Sequence, residues 1–234
     1  MNTTQTEWHL ARRQIVGNAA SIGFAVAMYG VSFGALGTTT GLSIPQTMAL
    51  SLLMFTGASQ FTLVSTLASG GTALTAVIAS SLMGTRNAAY SMRMTPILKT
   101  SGPGRLVAVQ LTIDESTAMG LAQDEEAFEG RASRLAFWAT GLSVYLLWNL
   151  ATFIGAVSVS AIGDPKSFGL DAAIAAGLFA LVWPQIKSRT DLSVAFGGAL
   201  IALALTPVVP PGVPVLAAAI VAIIVGWVTG RKLS

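Results

Sequence analysis

The feature that most constrains this chain is a long stretch without any charged residue. Between Gln14 and Thr85 the sequence contains no Lys, Arg, Asp, Glu or His, and Leu135–Gly163 and Leu192–Gly230 lack Lys, Arg, Asp and Glu. Only 10% of the chain is charged, whereas a soluble domain typically carries about 25% charged residues to cover its surface. A membrane-crossing helix needs roughly 20 mostly apolar residues. The three spans therefore predict an all-α, polytopic membrane protein.

Gly, Pro and charged positions divide the hydrophobic runs into about seven predicted transmembrane helices, within one integral membrane transporter domain, residues 1–234. We expect these helices at residues 15–40, 45–69, 72–96, 134–161, 167–187, 191–208 and 213–230, to within about four residues at each end. Between the third and fourth, Gly104–Gln123 is apolar but interrupted by Asp114 and Glu115. Residues 124–134 are most simply a solvated loop.

A faint internal repeat relates the two halves of the chain. The Gly-Ala pair at Gly34 recurs at Gly155, and Gly57 recurs at Gly177 with nearly the same separation. Duplicated halves are common in secondary transporters, so the pattern is compatible with a duplication of two three-helix repeats. These repeats would be residues 15–98 and 134–230, joined by residues 99–133.

Basic residues leave the orientation in the membrane open. Loops rich in Lys and Arg favour the cytoplasm, and three basic groups compete for that side: Arg12 and Arg13; Arg86, Arg93, Lys99 and Arg105; and Arg231 and Lys232. A simple zigzag of helices cannot place all three groups there. Either the second helix is broken or re-entrant, or the number of crossings differs by one. Both interpretations remain open.

Polar residues cluster in the sequence FTGASQF, Phe55–Phe61, inside the uncharged span. Thr56, Ser59 and Gln60 have the spacing of residues on one helical face, and Gly57 lowers helix propensity and permits a local break. Unwound backbone at membrane depth is tolerated only where protein or a water-filled cavity surrounds it. The cluster therefore predicts a substrate-binding site at these four residues, with ordinary interhelical hydrogen bonding as the alternative.

Glycines share one face of the first predicted helix: Gly23, Gly30, Gly34, Gly37 and Gly41. Because glycine lets two backbones approach closely, membrane helices associate through such faces. Tight helix packing is the favoured interpretation, and a direct substrate role is the alternative.

Charged and amide side chains near these spans supply further candidates. Arg86 could receive a substrate carboxylate, although an arginine at this position more often extends to the membrane surface; Asn87 beside it is a candidate for substrate binding. Within a membrane, Asp114 or Glu115 could load and release a proton, and a solvated surface pair is equally compatible with the sequence. Asp171 falls in the first turn of its predicted helix, where the helix dipole favours an acid; a coupling role is its second interpretation.

No enzyme signature is present. The chain has no cysteine, its single histidine, His9, lies in the N-terminal tail, and no Walker loop occurs. We therefore expect no catalytic residue, no cofactor and no metal site. Transport by this chain would use an ion gradient, a substrate gradient or a partner rather than its own hydrolysis of ATP.

The first 90 residues carry a specific resemblance to a known family. The chain resembles the AzlC family, the large subunit of branched-chain amino acid exporters, whose pattern is matched at Ser32–Ala35, Gly41, Ser43, Gln46, Ser51–Leu53 and Phe55–Phe61. The resemblance continues through TRNAAYS, TIDES and FGLDAAIAA. Two departures occur. The family often has Asn-Arg-His near the end of the third helix, where this chain reads Gly84-Thr85-Arg86-Asn87 and lacks the histidine, and the chain has Ala172–Ala176 where a proline is frequent.

The resemblance implies an exporter of leucine, isoleucine or valine in the cytoplasmic membrane that works with a small AzlD-like membrane subunit. Because no ATP-hydrolysing motif is present, we expect secondary transport, coupled to protons through Asp114. We expect Ser32 and Gly34 to face FTGASQF and to join the binding site. Apolar walls from Phe33, Phe55 and Phe61 would favour an aliphatic side chain. A passive channel for a small solute is the alternative function.

Overall fold

The computed structural model describes residues 3–123, 127–162, 183, 186–209 and 213–230. Within these ranges every regular element is helical and no strand occurs, which confirms the predicted all-α fold. The expected helix at residues 167–187, which contains Asp171, lies almost entirely outside the described residues.

The helices of the described residues have the following bounds: α1 Thr3–Thr39, α2 Ile44–Leu53, α3 Ala58–Ala68, α4 Ala73–Gly84, α5 Arg86–Leu98, α6 Pro103–Gln110, α7 Asp114–Leu121, α8 Arg131–Ile162, α9 Arg189–Leu205 and α10 Val213–Gly230. A short turn, Ala127–Gly130, leads into α8. The chain forms two compact units, one made of Met1–Gln60 with Gly84–Pro165 and the other of Phe61–Met83 with Lys166–Ser234. The breaks at residues 54–57 and 111–113 belong to the first unit, as do α2, α5, α6 and α7, whereas α3 from Phe61 onward and α4 up to Met83 belong to the second.

Among the described residues, α1 and α8 are long and apolar enough to cross a bilayer, judged by length and composition. α8 agrees with the predicted helix at 134–161. α1 begins at Thr3, well before the expected start at residue 15. The polar N-terminal segment has no Gly or Pro before Gly17, and these are the two residues that most oppose a helix.

α1 and α8 lie side by side and run in the same direction. At their N-terminal ends, the ring centroid of Trp8 lies 5.2 Å from that of Phe128. Further along, a Cβ on Gly30 would lie 3.1 Å from the Cβ of Ala151. Residue numbers therefore rise together along the contact, which makes the two helices parallel.

The backbones of α1 and α8 touch directly at two glycines. A Cβ on Gly34 would overlap the carbonyl oxygen of Thr152 and would lie 2.8 Å from the amide nitrogen of Ala156. A Cβ on Gly155 would overlap the carbonyl oxygen of Val31 and would lie 2.9 Å from its carbonyl carbon. Small residues permit such contact between membrane helices, so the glycine face of α1 takes part in helix packing.

Two of the predicted helices are each divided. The helix expected at 45–69 is split into α2 and α3 by residues 54–57, and the helix expected at 72–96 is split into α4 and α5 at Thr85. The apolar segment 104–123 likewise forms two short helices, α6 and α7. With 10 residues, α2 is ~15 Å long, about half the ~30 Å of a bilayer's hydrocarbon core.

In the second unit, α9 and α10 pair in opposite directions. A Cβ on Gly197 would lie 3.3 Å from Val221 Cγ1, and a Cβ on Gly198 would lie 3.7 Å from the Cβ of Ala218. These helices agree with the predictions at 191–208 and 213–230.

Candidate functional site

The first interruption separates α2 from α3 and lies within FTGASQF. Gly57 has a φ of +60°, a left-handed conformation that is unfavourable for residues with a Cβ. The structure thus contains the break that Gly57 predicted. Thr56 lies in the break, before α3 begins at Ala58. The prediction that Thr56 shares a helical face with Ser59 and Gln60 is therefore wrong, because no helical turn joins them.

Gln60 joins the two sides of this break. Its side chain is fully buried; Oε1 accepts a hydrogen bond from the Gly57 N–H at 3.1 Å, and Nε2 donates to the Leu50 carbonyl at 3.0 Å. Helix ends leave backbone groups without intrahelical partners. Gln60 supplies an acceptor for one such group, the Gly57 N–H, and a second donor to the Leu50 carbonyl, which also accepts from the Met54 N–H at 2.9 Å. Gln60 therefore holds the break in shape, whatever contact it makes with a substrate.

The last carbonyl groups of α2 meet polar side chains from α6 and α8. The Leu52 carbonyl accepts from Gln110 Nε2 at 2.8 Å and from the Tyr145 hydroxyl at 3.3 Å. The Phe55 ring lies edge-on to Tyr145, with ring centroids 5.0 Å apart. Because Tyr145 lies near the middle of α8, the break sits beside the middle of a candidate membrane span.

The second interruption separates α6 from α7 at residues 111–113. Ser116 Oγ donates to the Leu111 carbonyl at 2.6 Å and accepts from the Ile113 N–H at 3.1 Å. α8 passes close by, since a Cβ on Gly141 would lie 3.0 Å from the Cβ of Leu111. Both interruptions are therefore held beside the central part of α8.

Arg86, the first residue of α5, connects the two interruptions. Its Nη1 lies 2.8 Å from Asp114 Oδ2, and its Nη2 donates to the Thr56 carbonyl at 3.5 Å. Asp114 and Glu115 form the first turn of α7, where the helix dipole stabilises an acid; they do not interrupt a continuous segment as the sequence suggested. The side chains of the ion pair are 33% and 27% exposed, so neither is sealed within the packed interior.

Several buried polar atoms near Arg86 have no hydrogen-bond partner within the described residues: Thr56 Oγ1, Ser59 Oγ, Arg86 Nε, Asn87 Oδ1 and Thr117 Oγ1. Ser59 is 1% exposed, and a Cβ on Gly84 would lie 3.3 Å from its hydroxyl. The Ser59 hydroxyl therefore lies beside the start of α5. Because an unsatisfied buried polar group costs about 1–3 kcal/mol, such a cluster indicates a place for a polar ligand or water.

Two further predicted residues lie on α1. Gly34 lies against Thr152 of α8, and Thr152 accepts a hydrogen bond from Ser51 of α2 at 3.2 Å. The buried ring of Phe33 stacks on Trp148 with centroids 6.1 Å apart, and Ser32 is half-buried. The candidate acid Asp171 lies outside the described residues.

Three side chains that shape this site are not among the predicted binding residues. For Arg86 the sequence favoured a position at the membrane surface, because its pairing with Asp114 depends on a contact distant in sequence. Gln110 gave one signal, a lone amide in the apolar run LVAVQLTI. Nothing in the local sequence marks Tyr145.

Replacing Gly57 by alanine is expected to destabilise the folded protein by about 1–2 kcal/mol, the cost of a left-handed residue with a Cβ. No atom lies within 4 Å of the added Cβ, so the effect measures backbone strain alone. The measurement is the thermal unfolding midpoint of the purified protein. The matched control is Gly104→Ala in α6, which also has open space and is expected to stabilise the helix; equal effects from both substitutions would contradict the assignment.

The fold and the polar cluster define an α-helical membrane protein with an internal polar site between interrupted helices. The chain belongs to the AzlC family, since residues 21–162, more than half of its length, match the family model described as AzlC protein. This is a family of membrane transport proteins. No curated protein and no solved structure matches the chain. The matched region includes FTGASQF, Arg86 and Asp114 and ends before Asp171.

Proposed function

We propose that this chain is a secondary exporter of branched-chain amino acids, leucine, isoleucine or valine, that works in the cytoplasmic membrane with a small AzlD-like subunit and is coupled to protons. Family membership supports the transport class. The observation that carries the proposal is the Arg86–Asp114 ion pair, which lies among unpartnered polar atoms at interrupted helices. No cofactor is required.

Interrupted helices suit the binding of an amino acid. In secondary transporters, half-helix N-termini point at anionic substrate groups, and unwound backbone lines the binding cavity. Here α3, α5 and α7 all begin near the ion pair, at Ala58, Arg86 and Asp114. Phe55, which is 4% exposed, is our candidate for an apolar contact with the aliphatic side chain.

The direction of α1 and α8 bears on the number of crossings. Two full crossings between them, at 45–69 and 72–96, would make these helices antiparallel, whereas they are parallel. We therefore propose an odd number of crossings between Thr39 and Arg131. A second helix that turns back at the 54–57 break satisfies this requirement, and the half-membrane length of α2 supports it.

A cytoplasmic location of the N-terminal ends of α1 and α8 is our proposal for orientation. Arg93, Lys99 and Arg134 line one cleft, and the guanidinium of Arg131 lies 4.7 Å from the Trp8 ring centroid. Basic residues at the C-terminal end of α5 and the start of α8 thus gather at one end, beside Trp8 of α1, as expected for the cytoplasmic side. Truncation fusions to a periplasmic reporter enzyme test this orientation.

An internal duplication is the third architectural proposal. The sequence offset that relates Gly34 to Gly155 also relates Val31 to Thr152. The contact of Gly34 with Thr152 is therefore matched by the equivalent contact of Gly155 with Val31. This reciprocity is expected of two repeats related by a twofold axis along parallel helices. The two compact units do not follow the repeat boundaries, so the α1–α8 contact is the support for this proposal.

Ser59→Ala combined with Thr56→Val is expected to reduce leucine efflux about tenfold or more, because hydrogen bonds to a charged ligand contribute about 1.5–3 kcal/mol each. The thermal midpoint should stay the same or rise, since both hydroxyls lack partners within the described residues. Efflux of labelled leucine from loaded vesicles, with and without the small subunit, measures the effect. Ser69→Ala, at an exposed position, is the control; unchanged efflux in the double variant would sink the site assignment.

A passive channel remains the alternative function, and the same vesicles separate the two. A secondary exporter moves leucine against its own gradient when a proton gradient is imposed, and its rate saturates with leucine concentration. Downhill flux without saturation would overturn the exporter proposal in favour of the channel.

A further inference from the structure

We propose that a zwitterionic amino acid binds by inserting between Arg86 and Asp114, with its carboxylate on Arg86 and its ammonium on Asp114, so that the substrate and a proton compete for Asp114. This inference rests on the proposed function and extends it to the coupling step. In the structure the Arg86 and Asp114 side chains meet at 2.8 Å.

Arg86 has the capacity to hold a second carboxylate. A guanidinium carries five N–H donors in a planar fork that matches a carboxylate. One terminal nitrogen pairs with Asp114 and the other makes a long 3.5 Å contact with the Thr56 carbonyl. Nε is buried without a partner within the described residues. The Ser59 hydroxyl, beside the start of α5, supplies a further donor near the same place.

The opposite side of the pair suits an ammonium group. Asp114 and Glu115 lie in the first turn of α7, and the hydroxyl of Thr117 there is buried without a partner within the described residues. Arg86 is the charged group that acts on Asp114, and Asp114 in turn interacts electrostatically with Tyr90 of α5 and with its neighbour Glu115. The guanidinium of Arg86 and the carboxylate of Asp114 are therefore close together but on different helices, and a zwitterion requires such a pair of opposite charges.

Competition for Asp114 determines the direction of coupled transport. The ionised carboxylate holds the ammonium of the substrate; a proton on Asp114 removes that partner and releases the amino acid. The site then carries either the amino acid or one proton, never both, which is the condition for exchange. An inward proton gradient would drive export, and because the zwitterion is neutral, one positive charge would enter for each amino acid that leaves.

The simpler interpretation is that the ion pair only joins α5 to α7. Loss of a purely structural bond would weaken binding of every ligand alike. Insertion instead predicts that each side chain governs recognition of one end of the substrate, and this difference can be measured.

The experiment compares binding of three probes to the purified full chain with its small subunit: leucine, leucine methyl ester, which lacks the carboxylate, and isocaproate, which lacks the ammonium. The wild-type protein should bind leucine at least about tenfold more tightly than either analogue, and more weakly as the pH falls. Arg86→Gln should bind the ester as well as leucine. Asp114→Asn should bind isocaproate as well as leucine and should lose the pH dependence.

Arg93→Gln and Glu129→Gln, at exposed positions, are matched controls and should keep the wild-type preferences. If a charge-removing variant fails to fold, Arg86→Lys and Asp114→Glu replace it and should retain selectivity for the matching end of leucine. Leucine binding with unchanged analogue preferences in folded Arg86→Gln and Asp114→Asn would overturn the insertion while leaving the exporter proposal intact. Absence of leucine binding by the wild-type protein would instead overturn the proposed function.

Discussion

Replacing Gly34 or Gly155 by alanine is expected to prevent α1 and α8 from packing and to leave little folded protein. In each case the new methyl group would overlap a backbone carbonyl oxygen of the other helix, that of Thr152 or of Val31. A flexible side chain can move aside, whereas a carbonyl fixed within a helix cannot move without separating the two helices. Overpacking in a well-packed contact typically destabilises a protein by about 1–3 kcal/mol. Because the overlap is with backbone, we expect each of these substitutions to cost at least the upper value of that range. Monodisperse yield and the thermal midpoint in detergent measure the effect.

The matched control for this contact is Gly17→Ala on the same helix. A Cβ on Gly17 has no atom within 4 Å, so alanine there should raise stability by up to ~1 kcal/mol through its better helix propensity. Gly34→Ala and Gly17→Ala therefore have effects of opposite sign. A thermal midpoint for Gly34→Ala equal to that of the wild type would contradict the direct contact of backbones.

The α1–α8 contact also bears on the binding site, because α8 supports both interruptions. Tyr145 bonds to the end of α2, and Gly141 lies against the α6–α7 break. A substitution that separates α8 from α1 is therefore expected to disturb the site through α8.

Local chemistry made the main features of this chain predictable from sequence. Uncharged spans of sufficient length predict helices. The glycine in FTGASQF predicts a break because a residue without a Cβ adopts a φ of +60° without help from residues distant in sequence. The start of α1 was missed because charge marks the edge of a membrane span but does not end a helix. The helical face assigned to Thr56 was wrong because Thr56 itself lies in the break between α2 and α3.

Partners distant in sequence set the rest of the site, and a single sequence does not contain them. Arg86 was ambiguous because its environment depends on Asp114, which comes from a different helix. Gln60 could be identified as polar, but its two backbone partners follow only from the way α2 ends and α3 begins. The proposed substrate class, branched-chain amino acids, rests on the family resemblance. Neither composition nor residue spacing indicates it.

Replacing Gln60 by alanine is expected to destabilise the folded protein by about 1–3 kcal/mol, because the half-buried Gly57 N–H loses its acceptor. The Leu50 carbonyl loses one of its two donors and keeps the Met54 N–H. Without the two Gln60 bonds the α2–α3 break loses its shape, and leucine binding should fall together with the thermal midpoint. Gln60→Glu separates the contribution of the Gly57 bond from that of the Leu50 bond, since an ionised carboxylate can accept from the Gly57 N–H but cannot donate to the Leu50 carbonyl.

Gln46→Ala provides the comparison that isolates burial. Gln46 Oε1 also accepts from a backbone N–H, that of Ser43 at 2.8 Å, but at an exposed position. Water can replace this bond, so the loss should be about 0.5–1 kcal/mol. A thermal midpoint for Gln60→Ala no lower than that for Gln46→Ala would show that the α2–α3 break does not depend on Gln60. If instead leucine binding is lost while the thermal midpoint is unchanged, Gln60 contacts the substrate and does not support the break.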